Sequence, residues 1–336
     1  MVVPLYNGSP TIRRCLDSVL RQTWADFEVV VVDDGSTDGG GAVACQTGDA
    51  RVRVAGQPNR GVAAARNRGI AEARAPLIAF LDADDEWEPG FLAAVVELAE
   101  LYPLAGAYVT GMRSLLDGVP FLEVTLAPPG AETGTVDNYL ATTDEGEVVS
   151  SSNTAVPKRV LDQVGGFPEG EWQGEDLDLW ARIGVRYPIA CTRRVLALRH
   201  ADQGQRYISR AGWNAPFPPP VRTLRAMMAA GNVPPAKQSE VAGYIDSKIL
   251  EWVYVLLEVG NRAKARQVLR EERLSGRRAR LEALLLRTAL TALPARAVLA
   301  LRRKPYGLLL RLRRLFAGPQ RVVTGRYVTR RWLPPA

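Results

Sequence analysis

The chain has 336 residues, 47% of them hydrophobic, enough to build one large domain with an extension or two domains. Its three cysteines, Cys15, Cys45 and Cys191, are odd in number, far apart and outside any CxxC or Cys/His cluster; this excludes a disulfide framework and a zinc centre and suits packed thiols in a reducing compartment. Residues 261–336 hold 20 Lys and Arg against 3 Asp and Glu, whereas residues 1–260 hold 23 against 33, so a basic tail follows an acidic body that is no nucleic-acid binder.

Taken in chain order, "VVP" at 2–4 reads as the tail of a first strand. In "SPTIRRCLDSVLRQTW" the apolar residues Ile12, Cys15, Leu16, Val19 and Leu20 recur at helical spacing, and Ser9-Pro10 predicts the helix start with proline in the first turn. "EVVVV" at 28–32 and "LIAFL" at 77–81 are short apolar runs that end in acids, as expected of strands buried on both faces. "GVAAARNRGIAEARA" between them predicts another helix. Strand–helix alternation predicts an α/β fold with a mostly parallel sheet, whose ligands bind at the carboxyl ends of the strands. Three such ends carry "PLYN", "DDGSTD" and "DADD".

The acids carry the chemistry. Asp82 and Asp84, two apart at a strand end, are expected on one side of the chain, where each disfavours the other's charge unless a cation sits between them. Oxygen ligands of this kind suit Mg²⁺ or Mn²⁺ with a phosphorylated small molecule completing the shell. The plainer alternative, Asp85 capping a helix near Pro89, explains one acid of three. "VVDDGSTDGGG" fits neither phosphate-loop pattern, so Asp33 or Asp34 is expected to accept hydrogen bonds from a base or ribose. Arg66 and Arg68, near a helix start, are candidates for phosphate oxygens, although an arginine on a helix is usually a solvated one.

The ordered set "VPLYNGSPTIRRCLDSVLRQTWADFEVVVVDDGSTD", "NRGVAAARNRGIAEARAPLIAFLDADDEWEPGFL" and "GGFPEGEWQGEDLDLWARIG" closely resembles bacterial, non-processive family 2 glycosyltransferases of the GT-A fold, over roughly residues 1–210. The resemblance implies that Pro4, Tyr6 and Asn7 touch the nucleotide base, that Asp33 and Asp34 contact base or ribose, and that Arg66 lies near the nucleotide. It implies that Asp82 and Asp84 are the DxD pair holding nucleotide and divalent metal, with His200 as a further metal ligand, and that Glu175-Asp176 supply the general base, Asp176. The implied reaction moves a sugar from a nucleoside diphosphate, uridine by default, to a hydroxyl of a glycan or lipid-linked acceptor with inversion, in the making of a surface polysaccharide. Helix capping by Glu175-Asp176 is compatible with that role. Other readings are a sugar-nucleotide nucleotidyltransferase, which "PLYNGSP" does not suit, and a binding module without catalysis, against which the retained acids argue.

Only Met1, Val2 and Val3 precede Pro4, fewer apolar residues than the family usually has there, which leaves a short first strand or a start further upstream. "QGQRY" at 203–207 resembles a processive-synthase motif but is loosely spaced from Glu175-Asp176. With no secretory leader and no apolar run long enough to span a bilayer, neither signal peptide nor transmembrane helix is expected. The domains expected are a catalytic one over 1–212, a proline-rich linker over 213–221 and a basic, mostly helical region over 222–336. In the last, two helices are expected around Gly260-Asn261, and "YGLLLRLRRLFAG" predicts a basic amphipathic helix for an anionic membrane surface, so the location expected is cytoplasmic, peripheral on the inner face of the membrane.

Overall fold

The computed structural model describes residues 1–142, 148–171, 173–201, 217–292, 321–324 and 328–333. They divide into two compact units, Met1–Gln205 with Val322–Ala336, and Arg206–Arg321.

The first unit opens with β1 (Val2–Leu5), α1 (Ile12–Leu20), β2 (Val29–Asp33), α2 (Gly40–Cys45), β3 (Val52–Gly56) and α3 (Val62–Glu72). β1, β2 and β3 form a parallel sheet in that order. Its central strand, β2, is buried on both faces, as its unbroken valines require. Val3, Leu5, Val29 and Val31 pack with Ile12, Cys15, Leu16 and Val19 of α1, while Val30 and Val32 pack against Ala65 of α3. The α1 stripe is as read, but the helix starts at Ile12. Ser9 and Pro10 lie in the preceding turn, where the Ser9 N–H donates to Asp38 and those of Thr11 and Ile12 to the Gly8 carbonyl. α3 runs so close to β1 that a methyl group on Gly69 would lie 2.3 Å from Val2 Cγ1.

The chain continues through β4 (Leu77–Ala79), β5 (Glu86–Trp87), α4 (Phe91–Leu101), β6 (Ala107–Leu116), β7 (Val119–Leu126), β8 (Thr133–Val136), α5 (Tyr139–Thr142), β9 (Thr154–Pro157), α6 (Lys158–Val164), α7 (Glu175–Arg186) and β10 (Ile189–His200). β10 runs parallel to β6, whereas β4 with β9, β6 with β7 and β9, and β10 with β5 and β8 are antiparallel. Val2 bridges Phe80 in parallel, and the Leu81 N–H donates to the Val2 carbonyl at 3.1 Å, which joins this sheet to the first. The expected strand 77–81 is therefore two short pieces of pairing, one to β9 and one to β1.

The second unit contains α8 (Pro219–Ala229), α9 (Gln238–Glu258), α10 (Arg262–Glu271) and α11 (Arg277–Ala292). α9 and α10 meet at Gly260-Asn261 as read, and the Asn261 side chain caps α10 by accepting from the Lys264 N–H. Two details correct the reading of this part. Pro219 and Pro220 form the first turn of α8 rather than a linker, since a proline there gives up no helical hydrogen bond. The last described strands are β11 (Arg321–Thr324) and β12 (Val328–Trp332), and β12 is part of the first unit, where it pairs antiparallel with β7. "QGQRY" and the predicted helix at 306–318 lie outside the described residues. No helix among the described residues is long and apolar enough to cross a membrane. Cys15 and Cys191 are buried thiols, but Cys45, at the end of α2, is exposed.

Candidate functional site

"DADD" forms a turn, closed by the Asp85 N–H donating to the Asp82 carbonyl at 3.0 Å. The turn sends its acids to different partners. Asp85 is 4% exposed; one oxygen accepts from Ser152 Oγ at 2.5 Å and the other from the His200 N–H at 3.0 Å. Burial, with Asp84 and Asp82 nearby, raises its carboxyl well above the ordinary range. It caps no helix: α4 begins at Phe91 behind Gly90, and Asp85 instead fastens the turn to the 151–153 segment and to β10. Asp84 is partly buried, and burial together with the charge of Asp82 raises its carboxyl to about 6, against the opposing pull of its own N–H, His200 and Arg14.

Asp82 leads to a buried arginine. Arg66, in the second turn of α3, is 4% exposed and donates from Nη2 to Asp82 Oδ1 and from Nη1 to Glu175 Oε1, each at 2.7 Å. Its guanidinium lies 5.1 Å over the Phe167 ring. Burial works against its charge, but Asp82, Glu175 and Asp176 outweigh that and hold its pKa above the ordinary value. Glu175 and Asp176 open α7 behind Gly174, which takes the left-handed φ of 79°. The Leu177 N–H donates to Asp176 Oδ1 at 2.8 Å, and the helix N-terminus favours negative charge at this place. One guanidinium thus joins the DADD turn to the Glu175-Asp176 helix end, with Glu175 lying 109 residues after Arg66 in sequence.

The strand end after β2 is built differently. Asp34 is 2% exposed and accepts from Gln57 Nε2 at 2.7 Å, from the Arg60 N–H at 2.9 Å and from the Gly61 N–H at 2.8 Å. It holds the loop that leads into α3. Asp33 is half-buried and accepts from the Ser36 N–H at 2.9 Å; a methyl group on Gly41 would lie 2.2 Å from its other oxygen, so Gly41 leaves the room that this carboxylate occupies. Pro4 is buried in β1, whereas Tyr6 is exposed just beyond it. Asn7, in the left-handed region at φ 49°, ties the loop to the next one through the Ser36 hydroxyl and the Thr37 N–H.

Some expected roles fall elsewhere. Arg68 pairs with Glu72 and the Gly56 carbonyl along α3, away from Asp82. Arg66 has both terminal nitrogens engaged by carboxylates. His200 Nε2 meets Glu86 Oε1 at 2.8 Å, and Arg14 Nε reaches the same oxygen at 3.2 Å. Among the described residues no group of three or more His, Cys, Asp or Glu side chains is gathered as a metal ligand set. Asp82 and Asp84 alone fit a hard divalent cation. They are two carboxylates on one turn, one of them pushed toward neutrality by burial and by the charge of the other, which is the arrangement that a cation with phosphate and water ligands relieves.

Three residues that place the site were not singled out from the sequence. Asn67 exchanges two 2.8 Å hydrogen bonds with the backbone of Phe167, and a methyl group on Gly166 would lie 2.3 Å from its Oδ1. Arg182 pairs with Asp178 and donates to the carbonyls of Val164, Gly165 and Gly166. Ser152 holds Asp85. The adjacency of Arg66 and Asn67 and the i,i+4 spacing of Asp178 and Arg182 were the available signals; nothing local marked Ser152.

Residues 1–165 match the model of the family described as "Glycosyl transferase family 2". A curated relative, the uncharacterized glycosyltransferase EpsJ of Bacillus subtilis (strain 168), is 43% identical over 102 residues, which is 30% of this chain and 30% of its own length. The chain spans about a third of the length of the first curated relatives that it matches. Among solved structures, S. aureus TarS 1-349 in complex with UDP-GlcNAc superposes with a TM-score of 0.54 at 16% identity, covering 90% of this chain and 91% of that one. The mannosyltransferase PcManGT from Pyrobaculum calidifontis, in complex with GDP-Man and Mn2+, gives 0.54 at 21% identity, covering 89% and 82%. At such identities the likeness shows the fold, which is GT-A.

Proposed function

We propose that this protein, whose residues 1–165 match the model of glycosyl transferase family 2, moves a sugar from a nucleoside-diphosphate sugar, with uridine as the default base, to a hydroxyl of a glycan or lipid-linked acceptor, with inversion. The observation that carries the reading is the Arg66 bridge, which brings the DADD turn and the Glu175-Asp176 helix end to one place. A donor-holding acid and an acceptor-side acid must be neighbours for a single displacement.

In this reading Tyr6, Asn7 and Asp33 line the nucleoside end of the donor, behind Pro4, with Asp34 holding the adjoining loop. Asp176 takes the proton of the acceptor hydroxyl as its oxygen bonds to the anomeric carbon and the bond from that carbon to the diphosphate breaks; general-base help of this kind is worth on the order of 10²–10⁴-fold. Glu175, held by Arg66, fixes the end of α7 and so the aim of Asp176. Asp82 and Asp84 would hold a divalent cation, Mn²⁺ or Mg²⁺, which would supply positive charge for the departing diphosphate. His200 steadies the turn through Asp85 and Glu86. Attachment to the inner face of the membrane would bring a lipid-linked acceptor within reach.

Donor screening tests the proposal. Binding and slow hydrolysis of UDP-, dTDP- and GDP-sugars are followed with and without Mn²⁺, in the wild type and in Asp176→Asn. One donor is expected to bind with metal and to be hydrolysed, and Asp176→Asn is expected to bind it equally well while transfer to an acceptor falls on the order of 10²-fold or more. Binding of none of these donors, with or without metal, would sink the reading.

A further inference from the structure

α11 is apolar on two opposite sides. Ala283, Leu286 and Leu290 are buried and form the side that packs in the second unit, where Tyr254 Oη also donates to Glu282 at 2.6 Å. Leu281, Leu284 and Leu285, at i, i+3 and i+4, fall on the other side, where they are 58%, 58% and 62% exposed. Three leucines at helical spacing facing solvent do nothing for the fold of this unit, and such a grouping marks a surface that meets something else.

What it meets is written in the charges around it. Arg277, Arg280 and Arg287 are exposed on the same helix, and none pairs with a carboxylate among the described residues. The one acid in α11, Glu282, is held by Tyr254. A leucine stripe flanked by unpaired arginines complements a surface that is apolar below and anionic above. A second copy docked symmetrically through the same face would set these arginines against their own like charges.

We infer that the outward face of α11 docks on an anionic membrane surface, with Leu281, Leu284 and Leu285 entering the boundary between headgroups and acyl chains and Arg277, Arg280 and Arg287 at the phosphates. The docking deepens the reading of a lipid-linked acceptor and rests on it for its purpose. It assigns the contact to a segment distinct from residues 306–318.

The test is co-sedimentation of the full chain with vesicles of phosphatidylcholine alone or mixed with phosphatidylglycerol, alongside light scattering for molecular mass and nucleotide-sugar binding. The wild type is expected to bind the anionic vesicles and to release them at high salt. The double variant Leu284→Ser, Leu285→Ser is expected to bind about tenfold more weakly or worse, and Arg280→Glu with Arg287→Glu to lose about fivefold per arginine. All these side chains are exposed, so thermal stability should hold in both variants. Wild-type vesicle binding by both variants would overturn the inference, as would a wild type that ignores anionic vesicles. A change of oligomeric mass in the leucine variant without a change on vesicles would also overturn it, in favour of a second copy. Vesicle binding without any nucleotide-sugar binding would remove the proposed function and leave the docking in place.

Discussion

The strand ends at Asp33-Asp34 and at Asp82–Asp85 both carry adjacent aspartates, and each end divides them between two kinds of work. After β2, Asp34 is buried under three hydrogen bonds from the loop 57–61, while Asp33 keeps a half-buried carboxylate beside Gly41. In the DADD turn, Asp85 is buried on Ser152 and the His200 backbone, while Asp82 and Asp84 remain partly open. The ends differ in how the open acid is balanced. Asp33 needs only a backbone N–H, whereas Asp82 is tied to a buried guanidinium and Asp84 has its proton held by burial and a like charge. The DADD turn, which leaves Asp82 and Asp84 both partly open beside each other, carries electrostatic strain in the metal-free protein; the end after β2 leaves one acid open and buries the other under hydrogen bonds.

The largest effect that would break this comparison is at Arg66. Arg66→Ala leaves Glu175 and Asp82 without their shared cation and should cost about 3–5 kcal/mol in chemical denaturation, together with transfer activity; a small loss would mean that the bridge does not hold the two ends together. Next comes Asp34→Ala, which strands two backbone N–H groups and the Gln57 amide and should cost about 3 kcal/mol. Asp33→Ala should stay within about 1 kcal/mol for its single hydrogen bond and act on donor affinity instead. Equal stability losses at the two positions would erase the division of work. Asp84→Asn should leave the metal-free protein as stable as before or slightly more so near neutral pH while removing metal-dependent donor binding, which calorimetry would separate. The smallest effect is a slope with pH. Asp84 holds its proton more tightly in the folded chain than unfolded, so between the ordinary 3.8 and about 6 the folded form binds more protons, and its contribution to stability is present at low pH and fades as pH rises through about 6. Asp84→Asn should flatten that part of the stability curve of the metal-free protein.

The strands and helices around the site were legible because valine runs and a helical stripe each announce one element: "EVVVV" and the α1 spacing needed nothing from elsewhere in the chain. The residue types at the site were legible too, since acids at strand ends have few other uses. What was hidden depended on distant partners. Asp85 reads as a helix cap only until Ser152 and the backbone of His200 are brought to it by β9 and β10. Arg66 could be placed near the nucleotide from its resemblance, but not on Asp82 and Glu175, because nothing local says that α7 starts beside α3. The hairpin of β6 and β7 turns at Asp117-Gly118, both at positive φ, a two-residue signal that the strand–helix alternation overshadowed. The region 222–336 reads as mostly helical, and the short run "YVTRRW" gives no hint that β7 is waiting for it.

That last pairing has a practical side. Val328–Trp332 lies along Leu122–Leu126 of β7, register by register. A version of the protein trimmed after residue 212, which would keep every acid of the candidate site, would strip this cover and leave a row of unpaired N–H and C=O groups on β7. Such a row is a template for the same row on another molecule. The final strand therefore works as a guard against self-association, and the trimmed protein should aggregate even though its donor site is intact.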